Sequence, residues 1–93
     1  MKNIKMGKRK FEITVICTAV VELDDSVIDV VDDEWRAALY DLNTPEEIAE
    51  HVGINLIRGR RLCYMDGWAD QPDENAKLTY SDWQIEECYE IKK

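Results

Sequence analysis

The chain opens with an alternation of apolar and polar residues that predicts a long β-strand. In residues 11–23 every second residue is apolar, and a period of two with many β-branched residues is typical of a strand with one face on a core. Ile16 and Val20 lie on the other face, which indicates that this face is partly covered too. A second alternation predicts another long strand at about residues 79–91, antiparallel to the first, with Trp83 in the core.

Between the strands the spacing of apolar residues changes to that of a helix. Residues 27–41 predict one helix, with Trp35 on its apolar stripe and therefore in the core. The alternative is that residues 27–31 are partly extended and that the helix begins near Asp32.

A second helix is predicted from a clear start signal at Thr44. Thr44 is a good N-cap, Pro45 suits the first helical turn, and Glu47 completes a capping box. The apolar stripe that follows predicts a helix to about Ile57, which stops at the glycine just beyond it. Because only residues 41–43 separate the two helices, we expect a helical hairpin.

These elements predict an α+β fold in a single domain, residues 1–93, of which residues 1–9 are expected to be flexible. The order is long strand, helical hairpin, irregular segment and long strand, with the helices covering one face of an antiparallel sheet. A two-stranded sheet is marginal alone. We therefore expect either a short extra strand near residues 62–64 or a second subunit that extends the sheet, as a homodimer.

Negative charge is concentrated in one part of the chain. The formal net charge is −8, and residues 22–50 hold eleven acids and a single base, Arg36. Concentrated like charge costs stability by self-repulsion, suits a partner protein with a basic surface, and repels nucleic acid itself. The simpler interpretation is that acids at helix starts complement the helix dipoles and that the rest form a solvated face. The acids that we expect to bind a partner are Asp29, Asp32, Asp33, Glu34, Glu46, Glu47 and Glu50.

No motif in the sequence indicates catalysis, a cofactor or a metal site. The single histidine, His51, is expected to be a partly exposed helix residue, and the alternative is a catalytic pair of His51 with Cys17 or Cys63. The three cysteines are widely spaced and odd in number, which favours a reduced compartment over a disulfide framework. No stretch reaches the ~20 apolar residues of a membrane span. We expect a soluble, cytoplasmic, non-enzymatic protein without a cofactor.

Trp68 and a cluster of three arginines each allow two interpretations. Trp68 lies in a turn and is either a lid on the core, which we favour, or an exposed anchor for a partner. The cluster of Arg58, Arg60 and Arg61 either binds phosphate or, as we favour, interacts with the dipole of the preceding helix.

Several short segments, taken together, resemble small proteins that are encoded by phages and prophages. The resemblance covers about residues 11–90 and rests on Asp32-Asp33-Glu34-Trp35-Arg36, Leu39-Tyr40, Thr44-Pro45-Glu46-Glu47-Ile48-Ala49-Glu50-His51, Asn55-Leu56 and Asp66-Gly67-Trp68-Ala69-Asp70. In size, acidity and lack of catalytic motifs the chain is also similar to anti-CRISPR and anti-restriction proteins. Those proteins often block a nucleic-acid-binding surface, sometimes by imitating the charge of DNA.

The resemblance implies a function that agrees with the charge. We expect a non-enzymatic inhibitor that acts in the host bacterial cell. Its acidic helical face would bind a basic, nucleic-acid-binding surface of a bacterial defence complex. The alternative is an accessory or structural phage protein that acts as a homodimer and has no role in defence.

Overall fold

The computed structural model describes residues 7–92. Its elements are β1 (Lys10–Leu23), α1 (Asp25–Asp29), α2 (Asp33–Ala38), α3 (Pro45–Ile57) and β2 (Ala76–Ile91). Two single 3₁₀ turns, Leu62–Tyr64 and Asp73–Asn75, lie between α3 and β2. In the described part of the chain β1 and β2 form a two-stranded sheet. The predicted α+β class, with an antiparallel sheet and a long strand at each end, is confirmed.

The chain divides into two compact units, and both strands contribute to each of them. We call residues 19–79 the helical unit and residues 1–18 with 80–93 the ribbon unit. The predicted flexibility of residues 1–9 falls mainly on residues 1–6, which lie outside the described residues.

The first half of the predicted hairpin consists of two short helices, so the prediction of one helix over residues 27–41 is wrong. Residues 25–29 are helical, and a new helix begins after Asp32, as the alternative proposed. The backbone of Asp32 is extended, and its carboxylate accepts a hydrogen bond from the Trp35 N–H at 2.9 Å. Arg36 stabilises the end of α2, because its Nε donates a hydrogen bond to the Leu42 carbonyl at 2.7 Å.

The start of α3 confirms Thr44 as the N-cap, while the bond to the Glu47 carboxylate comes from Asn43, one residue before the position that a capping box predicts. The Thr44 hydroxyl accepts a hydrogen bond from the Glu47 N–H at 3.1 Å, and the Glu47 carboxylate accepts one from the Asn43 N–H at 2.6 Å. Pro45 occupies the first turn, where its missing N–H is no loss. The helix ends at Ile57, as predicted.

The core of the helical unit is built around two tryptophans. Trp68 is 1 % exposed and Trp35 is 8 % exposed, and their ring centroids lie 5.0 Å apart. The Trp68 indole N–H donates to the Val27 carbonyl at 3.0 Å. Trp68 is therefore a core residue, and its interpretation as an exposed anchor is wrong.

Helix α3 covers one face of the sheet inside the helical unit. Gly53 of α3 is buried against Val21 of β1, so close that a Cβ atom would lie 2.9 Å from the Val21 side chain. On the other face Val20 is 58 % exposed, so the prediction that this face is partly covered is wrong for Val20.

The ribbon unit leaves large apolar side chains exposed. Trp83 is 58 % exposed and Ile16 is 45 % exposed, so the predictions of a core position for Trp83 and of partial cover over Ile16 are wrong. Phe11 and Ile13, on the face that was expected to pack on a core, are also about half exposed. Alternation determines which side chains share a face of a strand, but it does not determine whether anything covers that face.

The short extra strand that was expected near residues 62–64 is a 3₁₀ turn. Leu62 is fully buried in the core there, and the Tyr64 N–H donates to the Arg61 carbonyl within the turn. The sheet therefore has two strands in the described part of the chain. The other expectation, extension by a second subunit, stays a prediction.

Two glycines with positive φ give a matched test of how tightly the core is packed. At Gly67 (φ 97°) a Cβ atom would lie 2.5 Å from the Trp35 ring, whereas at Gly59 (φ 86°) it would meet nothing within 4 Å. We expect Gly59→Ala to cost about 1–2 kcal/mol of unfolding free energy, from backbone strain alone. Gly67→Ala adds overpacking, for a loss of about 2–5 kcal/mol. Urea unfolding measures both, and equal losses would contradict the close approach of Trp35 to Gly67.

Candidate functional site

The helical unit carries a larger negative charge than the protein as a whole, whose formal net charge is −8. Its residues 19–79 include fifteen acids and five bases, a formal charge of −10. The ribbon unit includes five acids and seven bases, a formal charge of +2. The helical unit is therefore the candidate site for a cationic partner.

All seven acids that the sequence predicted for partner binding are exposed in the helical unit. Asp29 is the last residue of α1, and Asp32, Asp33 and Glu34 lie at the start of α2. Glu46 and Glu50 are four residues apart in α3 and therefore share one side of that helix. The same helix buries Ile48 and Val52. The acids of α3 thus form the polar face of an amphipathic helix.

Two of the seven acids stabilise the start of a helix. Asp32 caps α2 and Glu47 bonds to the backbone before α3. Asp24, which the sequence analysis did not select, does the same for α1. Hydrogen bonds from the side chain and backbone of Ser26 lower the pKa of Asp24. For these three residues the structure supports the simpler interpretation of the charge.

The other five acids are available for a partner. Asp33 forms an ion pair with Arg36 at 3.0 Å, but its own side chain remains fully exposed. Within residues 7–92 the carboxylates of the remaining four form neither a hydrogen bond nor an ion pair; these are Asp29, Glu34, Glu46 and Glu50. Among residues 7–92 their charge therefore has no partner side chain, although Glu34 and Glu46 lie in the first turns of α2 and α3, where the helix dipole favours an acid.

The structure adds an acidic cleft that the sequence analysis missed. The cleft has a volume of about 320 Å³ and is lined by Glu22, Leu23, Asp24, Asp25, Glu74, Asn75 and Lys77. Its two halves meet because the Asp24 N–H donates to the Asn75 carbonyl at 2.8 Å. Local sequence gave no signal for this pairing, since about fifty residues separate the halves. Four carboxylates and one ammonium group make the cleft suitable for a cationic side chain.

The described residues offer no metal centre. Within residues 7–92 no group of three or more His, Cys, Asp or Glu side chains is arranged to hold a metal ion. The acidic cleft is therefore an electrostatic feature of the helical unit and not a metal site among the described residues.

His51 and Cys63 lie in different environments. The His51 ring packs against Tyr40 and Trp68, at centroid distances of 4.6 and 5.9 Å, and burial lowers the pKa of His51. Cys63 instead faces Asp73, whose carboxylate raises the pKa of the Cys63 thiol and accepts a hydrogen bond from the Cys63 N–H. A raised pKa keeps this thiol protonated, which is the opposite of what activates a nucleophile.

Two arginines of the basic cluster have partners inside the helical unit. Arg60 donates to the Asn55 side chain at 3.2 Å, and Arg61 lies 3.8 Å from the Asp73 carboxylate. Arg58 is the C-cap residue of α3. The positions of all three favour a structural role near the end of α3 over phosphate binding.

Comparisons with known proteins do not identify a relative. No protein-family model, curated protein or solved structure matches this chain. Among the described residues, none of the helices combines the length and apolar character that crossing a membrane requires.

The capping role of Asp32 can be separated from its charge by comparison with its neighbour. Asp32→Ala removes the acceptor for the Trp35 N–H, and we expect a loss of about 1 kcal/mol of unfolding free energy. Asp33→Ala removes the same charge from an exposed position, and we expect a change within about 0.5 kcal/mol. Chemical denaturation of both variants is the measurement. Equal effects would show that charge, and not the cap, determines the contribution.

The burial of His51 predicts a pH-dependent stability. Because its pKa is lowered from 6.5 in the folded protein, the unfolded chain binds the proton more readily. The contribution is therefore complete above about pH 6.5 and is lost as the pH falls toward the folded-state value. His51→Gln should remove this loss between about pH 7 and pH 5.5. Urea unfolding across this range measures the effect, and parallel curves for parent and variant would contradict it.

Proposed function

We propose that the protein is a non-enzymatic, phage-encoded inhibitor whose helical unit binds the basic, nucleic-acid-binding surface of a bacterial defence complex in the host cytoplasm. The observation that carries the proposal is the formal charge of −10 on residues 19–79. The phage origin and the defence target come from the resemblance in sequence and bulk character. The charge indicates only that the partner surface is basic.

The distribution of the acids supports a binding role beyond solubility. Solubility requires net charge but does not require that it be concentrated in one compact unit. Exposed acids without an internal partner, such as Glu34, Glu46 and Glu50, keep their full attraction for an approaching cation. Such a surface accelerates encounter with a basic protein and makes binding sensitive to salt.

The same charge argues against direct binding to nucleic acid. Nucleic acid binds a protein favourably when positive side chains neutralise its phosphates and release the counterions bound to them. A basic protein surface that normally holds nucleic acid has the complementary charge. Occupation of that surface by the helical unit would block the nucleic acid by competition.

A second candidate function follows from the ribbon unit. Its exposed apolar side chains, Trp83 and Ile85 among them, favour an accessory or structural phage protein that works as a homodimer. The two functions use different units of the chain, so one does not exclude the other.

Charge reversal with a matched control tests the proposed function. The triple variant Glu34→Lys, Glu46→Lys, Glu50→Lys changes acids that have no capping role, and we expect the fold to survive. It should weaken partner binding by on the order of 2 kcal/mol, which is roughly 30-fold. Asp82→Lys, Glu86→Lys, Glu87→Lys makes the same change of net charge in the ribbon unit and should bind like the parent.

The measurement is capture from a bacterial lysate at about 50 mM salt, followed by mass spectrometry. Nucleic-acid-binding proteins should be retained by the parent and the ribbon variant and released by the helical variant. Circular dichroism verifies that each variant is folded. Equal retention by all three proteins would refute the acidic site, and equal loss from both variants would show that only bulk charge matters.

A further inference from the structure

The ribbon unit exposes an unusual amount of apolar side chain for a two-stranded sheet. Nine large apolar residues of this unit are between 39 % and 68 % exposed: Phe11, Ile13, Val15, Ile16, Tyr80, Trp83, Ile85, Tyr89 and Ile91. An isolated pair of strands is marginal in water and gains stability when an apolar face is covered. The exposed apolar side chains of the ribbon unit are therefore typical of a surface that a partner covers.

Contacts near the end of the ribbon determine which side chains share a face. The Arg9 guanidinium lies 5.5 Å from the Phe11 ring centroid and forms two hydrogen bonds, of 2.8 and 2.9 Å, to the Glu90 carboxylate. Phe11 and Glu90 are therefore on one face. On the other face the Glu12 carboxylate lies near the Tyr89 hydroxyl and raises the pKa of Tyr89.

Strand alternation extends this assignment along both strands. One face, the Phe11 face, carries Phe11, Ile13 and Val15 from β1 and Tyr80 from β2, beside mostly polar residues of β2. The other face, which we call the Trp83 face, carries Ile16 from β1 and Trp83, Ile85, Tyr89 and Ile91 from β2. Most of the exposed apolar side chains of β1 in this unit thus lie on the Phe11 face and most of those of β2 lie on the Trp83 face, which has the larger share.

The apolar area of the Trp83 face is more than half of what one side of a standard interface buries. Its five apolar residues are 39–68 % exposed, which for side chains of about 150–250 Å² corresponds to roughly 500 Å². A standard protein interface buries about 800 Å² on each partner, including a polar rim. The apolar residues and the polar residues beside them therefore approach the size that one side of a dimer needs.

Charge determines where a second copy can approach. Contact between two helical units would bring together two bodies of formal charge −10, which is strongly unfavourable. The ribbon unit has a formal charge of only +2, so two copies meet there with little repulsion. The part of the chain with the most exposed apolar side chains is also the part that best tolerates its own copy.

We propose that the Trp83 face is the interface of a homodimer, in which the ribbons of two copies pack face to face about a two-fold axis. Each ribbon then provides the apolar layer that the other lacks, and Trp83 is the central anchor. The interface lies in the ribbon unit, so its failure would leave the proposed role of the helical unit untouched.

Sedimentation velocity on the full chain tests the interface. The protein is measured from about 1 to 100 µM in reducing buffer, which excludes a disulfide through the exposed Cys88. We expect a dimer that dissociates on dilution. Trp83→Thr, Ile85→Thr should raise the dissociation constant at least about 30-fold. The matched control, Phe11→Thr, Ile13→Thr on the opposite face, should remain dimeric.

Near-UV circular dichroism of the Trp35–Trp68 pair shows that each variant keeps the core of the helical unit. A parent protein that is monomeric at about 100 µM would overturn the proposal and leave a different protein as the occupant of the face. Dissociation by the Phe11-face pair alone, or equal dissociation by both pairs, would also overturn it, because neither result assigns the interface to the Trp83 face.

Discussion

The helical unit depends on a buried hydrogen bond from the Trp68 indole to the Val27 carbonyl. It joins residues forty-one positions apart in the sequence, at 3.0 Å and away from solvent. A buried donor without a partner is costly, so Trp68 fits the core only where α1 presents this carbonyl. Trp35 packs beside Trp68, and its own indole donates to the Gly67 carbonyl at 3.3 Å. The irregular segment after α3 is thereby fixed against α1 and α2.

This core determines which acids serve the fold and which remain free. Short helices such as α1 and α2 do not persist alone, and their starts require acceptors for backbone N–H groups. Asp24, Asp32 and Glu47 supply those acceptors, so part of the negative charge is structural. Glu34, Glu46 and Glu50 add repulsion with no compensating contact in the described residues. The proposed partner is what would offset that repulsion.

The sequence predicted the elements whose signals are local. Both strands and α3 could be located because alternation and the Thr44 cap depend on neighbouring residues only. The break between α1 and α2 was predicted only as an alternative, a helix start near Asp32, because the apolar spacing continues through Val30 and Val31. It depends on the Asp32 carboxylate and on Arg36, which reaches a carbonyl six residues away.

Features formed by distant parts of the chain were outside the reach of sequence patterns. The exposed acids of the candidate site were predicted because charged residues on a helix face are normally solvated. The acidic cleft was not, because Glu74 meets Asp25 only through tertiary structure. Trp83 was misplaced because alternation looks the same in a covered strand and an open one.

The distribution of tryptophans makes the two units optically distinguishable. Trp35 and Trp68 are buried in the helical unit, while Trp83 is 58 % exposed in the ribbon unit. An indole in water emits at longer wavelength than one in a core, and a dissolved quencher reaches it first. The steady-state fluorescence of the monomeric chain therefore combines a core component from the helical unit with a quencher-accessible component from the ribbon unit, and the proposed dimer would bury the second.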